Sequence, residues 1–330
     1  MNYTAPWWLP GGNLQTIWSA TCARTTLQNQ WAKPQWRRER WTTPDADFLD
    51  VDFLVSSSFS SSRSSDARRP LLVLFHGLEG SSASHYVRAF AAVAAARGWQ
   101  MAVPHFRGCS GEINRAARAY HSGDFEEVHW LLERFAQLQP EALYAVGVSL
   151  GGNALMRWAG MLGAQAASLA DRVVAICAPL DLTASGQAID RGFNRQIYAR
   201  MFLRSMVPKA LAKWEQFPGL FDRERLLAAR DLHSFDDVFT APLHGFKDAD
   251  EYWRLASAKP LLTQVRIPAL VLNARNDPFI PESSLPTALQ VSQSVTLWQP
   301  EEGGHVGFAT GRWPGNIAAV PAQIAEWLSR

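Results

Sequence analysis

From residue 71 onward, short runs of consecutive apolar residues alternate with stretches of helical periodicity. Apolar runs without polar interruption are typical of strands buried on both faces of a parallel sheet. In the stretches at 87–94 and 128–135, apolar residues recur at i, i+3, i+4 and i+7, which predicts amphipathic crossover helices. The pattern therefore predicts an α/β fold with a mostly parallel, twisted sheet and helices on both faces. Strands are expected at 71–75, 99–103, 143–148, 172–178 and 269–274.

The chain before this region has a different pattern. Two alternating stretches within residues 36–55 flank the turn-forming sequence PDAD at 44–47, which predicts an antiparallel hairpin. The serine-rich stretch at 56–69 has few apolar residues to pack, so we expect a surface loop there.

The strict alternation of strand and helix is interrupted between Asp181 and about Leu262. The stretches at 195–207 and 222–232 read as helices, so the insertion is expected to form a small helical cap over one edge of the sheet. We predict one domain with a core of residues 1–180 and 263–330 and a cap of residues 181–262.

Composition narrows the class of protein. With 330 residues, 47% of them hydrophobic, the chain can bury a large core. A net charge of +2 indicates no extended basic surface for nucleic acid or an anionic membrane. The three cysteines are far apart, which argues against a disulfide framework and a zinc site. Without a leader-like start or a membrane-length apolar run, we expect a soluble cytoplasmic protein with a small-molecule partner and no stable membrane insertion.

The sequence GVSLG at 147–151 places Ser149 between a predicted strand and a predicted helix. A serine in such a sharp turn adopts a strained backbone, so its close neighbours Gly151 and Gly152 must be small. The turn lifts the hydroxyl above the sheet, near the positive end of the following helix. We therefore predict Ser149 as a nucleophile.

A serine hydroxyl needs a base, and in this fold class the chain order is serine, acid, histidine. His305 follows the strand-like stretch at 294–298 in a glycine-rich loop and is our predicted base, whereas His233 and His244 lie in the predicted cap. Asp277 follows the strand at 269–274 and is the predicted acid. Asp181 is a rival acid, although it could equally cap the first cap helix.

The loop FHGLEG at 75–80 follows the first parallel strand and resembles the loop that supplies a second oxyanion donor. We predict that the backbone N–H groups of Leu78 and Leu150 hold the oxyanion, and that His76 braces the loop by hydrogen bonding. His121 is expected to be structural, with Ser122 as a plausible cap of the next helix. Cys109 lacks an evident base and is a poor candidate nucleophile.

Two aromatic or apolar segments have open interpretations. Phe193, Ile197 and Met201 recur at helical spacing in the cap and could line an acyl-chain pocket, although helix packing explains the same pattern. The N-terminal sequence WWLPGG at 7–12 is expected to pack against the domain, with an aromatic rim on the substrate mouth as the alternative.

These motifs together resemble the YheT/EMB8-like branch of the α/β-hydrolase superfamily. The resemblance covers nearly the whole chain and includes WLPGGNLQTIW at 8–18, HGLEGSS at 76–82, FRGCSGEIN at 106–114 and GVSLGGN at 147–153. It implies an α/β-hydrolase fold, a triad at Ser149, Asp277 and His305, and activity on esters with medium-length acyl chains.

We therefore expect a serine esterase that requires no cofactor or metal and works through an acyl-enzyme intermediate. Acyl transfer to a short alcohol, or thioester hydrolysis, with the same residues is the first alternative. A non-catalytic binding protein on the same fold is the second alternative.

Overall fold

The structure, a computed structural model, describes residues 1–23, 33–55 and 68–330. Most of the serine-rich stretch, residues 56–67, lies outside the described residues, so the surface loop expected there stays a prediction.

Eight strands form one sheet in the order β1-β2-β4-β3-β5-β6-β7-β8. β1 and β2 form the predicted antiparallel hairpin, β2 also runs antiparallel to β4, and all later neighbours are parallel. The predicted α/β class is thus confirmed. The strands are β1 (Gln35–Thr42), β2 (Phe48–Val55), β3 (Leu71–Phe75), β4 (Gln100–Pro104), β5 (Leu143–Val148), β6 (Arg172–Ile176), β7 (Ala269–Leu272) and β8 (Val295–Trp298).

Helices cover both faces of the sheet because every parallel strand has apolar residues on both sides. The buried residues form two large clusters, one on each face, with α3 and α4 in the first and α2 and α12 in the second. The helices outside the insertion are α1 (Gly12–Thr21), α2 (His85–Ala96), α3 (Phe125–Ala136), α4 (Leu150–Leu162) and α12 (Ala319–Leu328). Among the described residues, none of the helices is both long and apolar enough to cross a membrane.

The chain between β6 and β7 is helical, as predicted. Its helices are α5 (Leu182–Ile189), α6 (Gly192–Asn194), α7 (Arg200–Gln216), α8 (Arg223–Ala228), α9 (Leu232–Phe235), α10 (Ala241–Leu243) and α11 (Ala249–Ala256). A π-helical turn at Arg195–Ala199 joins α6 to α7, and we call the continuous helical segment 192–216 the cap helix. The division into core and cap at residues 181 and 262 stays a prediction.

Two helix boundaries differ from the sequence prediction. The predicted helix over 222–232 ends at Ala228, because Ala229 is extended and Asp231 caps a separate short helix. The start of α3 is capped by the carboxylate of Asp124, which accepts a hydrogen bond from the Glu127 amide, and not by Ser122. A carboxylate at this position interacts more favourably with the helix dipole than a hydroxyl does.

Candidate active site

Ser149 lies at the junction between β5 and α4 and has a strained backbone, with φ 53° and ψ −120°. Its N–H donates to the carbonyl oxygen of Ile176 in the neighbouring strand, which anchors the turn to the sheet. A positive φ is unfavourable for any residue with a side chain, so the surrounding structure must hold this conformation in place.

The glycines around Ser149 are required because the turn is crowded. A Cβ at Gly151 would lie 2.6 Å from the carbonyl oxygens of Phe75 and His76, and one at Gly147 would lie 2.4 Å from the Gly151 oxygen. These distances are too short for any side-chain carbon. The loop after β3 can therefore approach the start of α4 closely only because the backbone there is bare.

The structure brings Ser149, His305 and Asp277 together at the carboxyl ends of three different strands. His305 Nε2 lies 3.0 Å from Ser149 Oγ, and His305 Nδ1 lies 2.8 Å from Asp277 Oδ2. Asp277 Oδ1 accepts a hydrogen bond from the Phe279 amide, and the Phe279 ring lies 4.3 Å from the imidazole. The acid is thus fixed at both oxygens, and the Phe279 ring packs against the imidazole.

The alternative candidates have other partners. Asp181 accepts a hydrogen bond from the Ala184 amide and caps α5, the alternative that its position in the sequence left open. His233 contacts Asp250 on the cap surface, and His244 lies against carbonyl oxygens of Thr240 and Ala119.

The loop after β3 lies beside Ser149. A Cβ at Gly77 would be 3.1 Å from the Ser149 Cβ, and both Leu78 and Leu150 line the same cavity as Ser149. His76 is fully buried and accepts a hydrogen bond from the Phe106 amide at Nε2, which leaves Nδ1–H to donate to the Gly77 oxygen. Burial lowers the pKa of His76 to about 3, so the ring is neutral and braces the loop.

A cavity with an empty volume of about 1080 Å³, including its mouth, extends from Ser149 under the cap helix. Most of its surface is apolar. It is lined near the serine by Leu150 and Phe279 and farther away by Ile189, Phe202, Met206, Leu232, Phe235 and Phe239. Polar and charged side chains, among them Glu79, Lys209 and Asp236, also line the cavity. A cavity with a mostly apolar surface suits a ligand with a hydrocarbon portion.

Phe193, Ile197 and Met201 do not line this cavity, contrary to the pocket interpretation of their spacing. They are 55%, 43% and 52% exposed on the outer face of the cap helix. The inner face of the same helix carries Phe202 and Met206. Helical spacing identifies a shared face but not the direction in which it points, which is set by packing.

A partly buried ion pair links the cap helix to the loop after β3. Lys209 Nζ donates to Glu79 Oε1 at 2.9 Å, and the Tyr120 hydroxyl donates to the same carboxylate at 2.8 Å. Burial raises the pKa of the nearby Cys109 thiol to about 12, so this cysteine is a protonated neighbour with little nucleophilic character. Glu79 directly follows Leu78, so the pair fixes the loop that carries one predicted oxyanion donor.

One group of side chains among the described residues has metal-ligand geometry, namely Cys177, Asp277 and His305, with ligand atoms within 4.8 Å of one another. Metal binding would need the thiolate of Cys177. Burial raises the pKa of this thiol well above its ordinary value, and the aspartate and histidine already bind each other. This donor set therefore favours a hydrogen-bonded arrangement over a metal centre.

A family model described as alpha/beta hydrolase fold matches residues 70–311, which is most of the chain. The protein belongs to the α/β-hydrolase family. The matched range includes Ser149, Asp277 and His305.

Similarity to individual proteins identifies the branch of the family. This α/β-hydrolase is 37% identical over 282 residues to the Escherichia coli protein YheT, named as an esterase, with 83% of this chain and 81% of YheT aligned. It is 29% identical to the mouse phospholipase ABHD3 and 28% identical to the medium-chain fatty acid ethyl ester synthase/esterase 2 of Saccharomyces cerevisiae. These matches cover 74% and 79% of this chain but only 60% and 62% of those proteins. The resemblance to the YheT/EMB8-like branch is confirmed.

Among solved structures, an esterase from Pyrobaculum calidifontis matches this α/β-hydrolase with a TM-score of 0.54 at 18% sequence identity. The match covers 96% of this chain and 91% of that one. At this identity the similarity supports the shared fold.

Sequence reasoning missed the role of α1 in this hydrolase. The amide of His305 donates to Thr16 Oγ1 at 2.8 Å, and the Gly303 amide donates to Gln15 Oε1 at 2.8 Å. Gln15 Oε1 also accepts from Asn276 Nδ2, directly before Asp277. The N-terminal motif thus holds the loops that carry both the predicted base and the predicted acid. The only signal of this role in the sequence was the presence of the polar residues Gln15 and Thr16 in a segment rich in aromatic residues.

Proposed function

We propose that the protein hydrolyses carboxylic esters with Ser149 as nucleophile, His305 as general base and Asp277 as the residue that orients the imidazole. The observation that carries the proposal is the continuous hydrogen-bonded chain from Asp277 Oδ2 through His305 to Ser149 Oγ. The class of enzyme, a carboxylic ester hydrolase, is the one on which the relatives named esterase and phospholipase agree.

In the proposed reaction, Ser149 Oγ attacks the acyl carbon while its proton moves to His305 Nε2. The amides of Leu78 and Leu150 stabilise the negative oxygen of the tetrahedral intermediate. The intermediate collapses, the ester C–O bond breaks, and His305 returns the proton to the departing alcohol. Water then attacks the acyl-enzyme with His305 again accepting a proton, which releases the acid and restores the serine.

The apolar cavity supports a short- or medium-chain acyl ester or a lipid-like ester as substrate. Leu150 and Phe279 lie next to the reacting serine and histidine, and the more distant lining residues extend the apolar surface under the cap helix. A hydrocarbon chain in this cavity would be removed from water, which is favourable by about 0.8 kcal/mol per buried CH₂ group.

The test compares Ser149→Ala with the wild-type protein on p-nitrophenyl esters of increasing acyl length. Ser168→Ala, which changes an exposed serine away from the cavity, is the matched control. We expect Ser149→Ala to lose turnover and labelling by a fluorophosphonate probe, with both retained in the control. Wild-type turnover in Ser149→Ala would refute the proposal, and an intact, unlabelled Ser149 in folded protein would favour a binding function.

Acyl transfer is the second candidate, supported by the ester synthase/esterase name of the yeast relative. The same acyl-enzyme would then react with an alcohol or thiol in place of water. Product analysis in the presence of ethanol distinguishes the two, because transfer forms an ethyl ester and hydrolysis forms only the free acid.

A cytoplasmic location is part of the proposal. Cys109 and Cys177 are free thiols, which supports a reducing compartment.

A further inference from the structure

The outer face of the cap helix carries an apolar ridge. Phe193, Ile197 and Met201 follow one another at four-residue spacing, and each exposes about half of its side chain. Large apolar side chains grouped on one exposed helical face commonly mark an interaction surface.

The same helical segment is strongly basic. Residues 192–216 contain five Lys or Arg residues and one Glu, although the whole chain has a net charge of only +2. Arg195 pairs with Asp231, Lys209 pairs with Glu79 and Lys213 is buried. Arg200 and Arg204 are exposed, and neither forms an ion pair with any residue that the structure describes. Together with Arg195 and Arg230 they line one groove beside the apolar ridge.

We propose that this face, formed by Phe193, Ile197, Met201, Arg200 and Arg204, docks on an anionic lipid surface. A helix lying in a membrane interface places its apolar side chains among the acyl chains and its basic side chains near the headgroups. Apolar and basic residues alternate here on one exposed face, so both contacts can form at once. Because the net charge of the whole chain is low, composition does not reveal the basic residues grouped on this helix and did not predict a membrane-binding surface.

The charge pattern disfavours two other binding partners for this face, a second copy of the protein and nucleic acid. In a two-fold dimer through this face, the arginines of one copy would oppose those of the other without an acidic partner. Nucleic acid would bind the arginines but would leave the apolar ridge in water. A lipid surface would contact both the apolar side chains and the arginines of this face.

Docking here would place the cavity next to the lipid. The inner face of the cap helix carries Phe202 and Met206, which line the cavity, and Tyr198, whose ring lies 4.6 Å from the Phe279 ring. The helix therefore has one face toward the membrane and the other toward the proposed reaction site. This inference concerns a surface outside the triad and does not depend on the proposed ester hydrolysis.

The test measures binding of the full chain to vesicles of phosphatidylcholine with and without phosphatidylglycerol. We expect binding to require the anionic lipid and to weaken with added salt. Arg200→Gln combined with Arg204→Gln should weaken binding about 30-fold, because each basic residue near an anionic surface contributes about a factor of five. Ile197→Asn should weaken it at least about tenfold, since it removes the apolar contact.

Leu289→Asn and Arg330→Gln are the controls, because they change an exposed leucine and an exposed arginine elsewhere on the surface and should bind like wild type. The thermal unfolding midpoint should be equal in all variants, which shows that each is folded. The proposal is overturned if the wild type does not bind anionic vesicles, if the cap-helix variants bind as tightly as the controls, or if these variants instead dissociate a dimer. Vesicle binding can be measured in Ser149→Ala as well, so failure of the proposed function leaves this test intact.

Discussion

Arg107 is a buried residue that contacts three carboxylates, two of them buried and one, Asp45, partly exposed. Its guanidinium donates to Asp45 at 2.8 Å, to Asp47 at 2.7 Å and to Glu127 at 2.5 Å. The side chains of Arg107, Asp47 and Glu127 are at most 3% exposed. Arg107→Met keeps a chain of similar length but removes the guanidinium that donates to all three acids, which makes it a sharp test of this network.

The expected loss is about 3–5 kcal/mol of unfolding free energy, because removing one partner leaves buried charge uncompensated. Burial raises the pKa of Glu127 to about 7, and loss of the arginine raises it further. An unfolded glutamate ionises above about pH 4.3. Between about pH 4.3 and its raised pKa, Glu127 is protonated in the folded protein and ionised in the unfolded chain, so the unfolding free energy falls as pH rises through this range. This range extends to higher pH in the variant than in wild type, so the deficit of the variant grows above about pH 7. Burial raises the pKa of Asp47, but hydrogen bonds from Asn114 and backbone amides outweigh this effect and lower the pKa to about 2. Asp47 therefore stays ionised below pH 7, and its unpaired charge still destabilises the folded variant there.

Urea unfolding at about pH 5 and about pH 8 measures the unfolding free energy and separates the contribution of Asp47 from the pH-dependent contribution of Glu127. The matched control is Arg225→Met, because Arg225 is 61% exposed and pairs with Asp237 on the surface. An exposed pair contributes about 1 kcal/mol or less. A deficit of Arg107→Met no larger than that of Arg225→Met, or one that shrinks between pH 5 and pH 8, would refute the reasoning.

Three further substitutions, one of them with a matched glycine control, test the site and its surroundings. Gly151→Ala should lower kcat by about 10²–10³, because its Cβ would push away the loop after β3 that carries one proposed oxyanion donor, whereas Gly160→Ala, equally crowded but against Leu261, should lower Tm and leave kcat unchanged. Thr16→Val removes the acceptor of the His305 amide and should cost about 1–3 kcal/mol in stability, seen by denaturation, and lower kcat with KM unchanged. Ser185→Ala removes a buried hydroxyl that has no partner among the described residues and should raise the unfolding free energy by about 1 kcal/mol; a loss of 2 kcal/mol would indicate a hidden partner.

Local sequence patterns were sufficient for the strands, the crossover helices and the turn at Ser149. Unbroken apolar runs fix which segments are buried strands, and the glycines around Ser149 mark a place where no side-chain carbon fits. The order of serine, acid and histidine along the chain then selected Asp277 and His305 as partners before any distance was known. Each of these features depends on neighbouring residues or on the fixed polarity of a parallel sheet.

Contacts between residues far apart in the chain required the tertiary structure. Thr16 and His305 are 289 positions apart, so no local pattern indicates that α1 holds the histidine loop. The spacing of Phe193, Ile197 and Met201 identified one helical face, but only packing of the opposite face over the cavity decided that this face points outward. In the same way, nearly balanced charge along the whole chain left the basic groove unseen, because it forms only where the cap helix meets the segment that carries Arg230. The sequence by itself determined the local conformations and the chemical groups available, and the tertiary structure decided which distant groups meet and which way each face points.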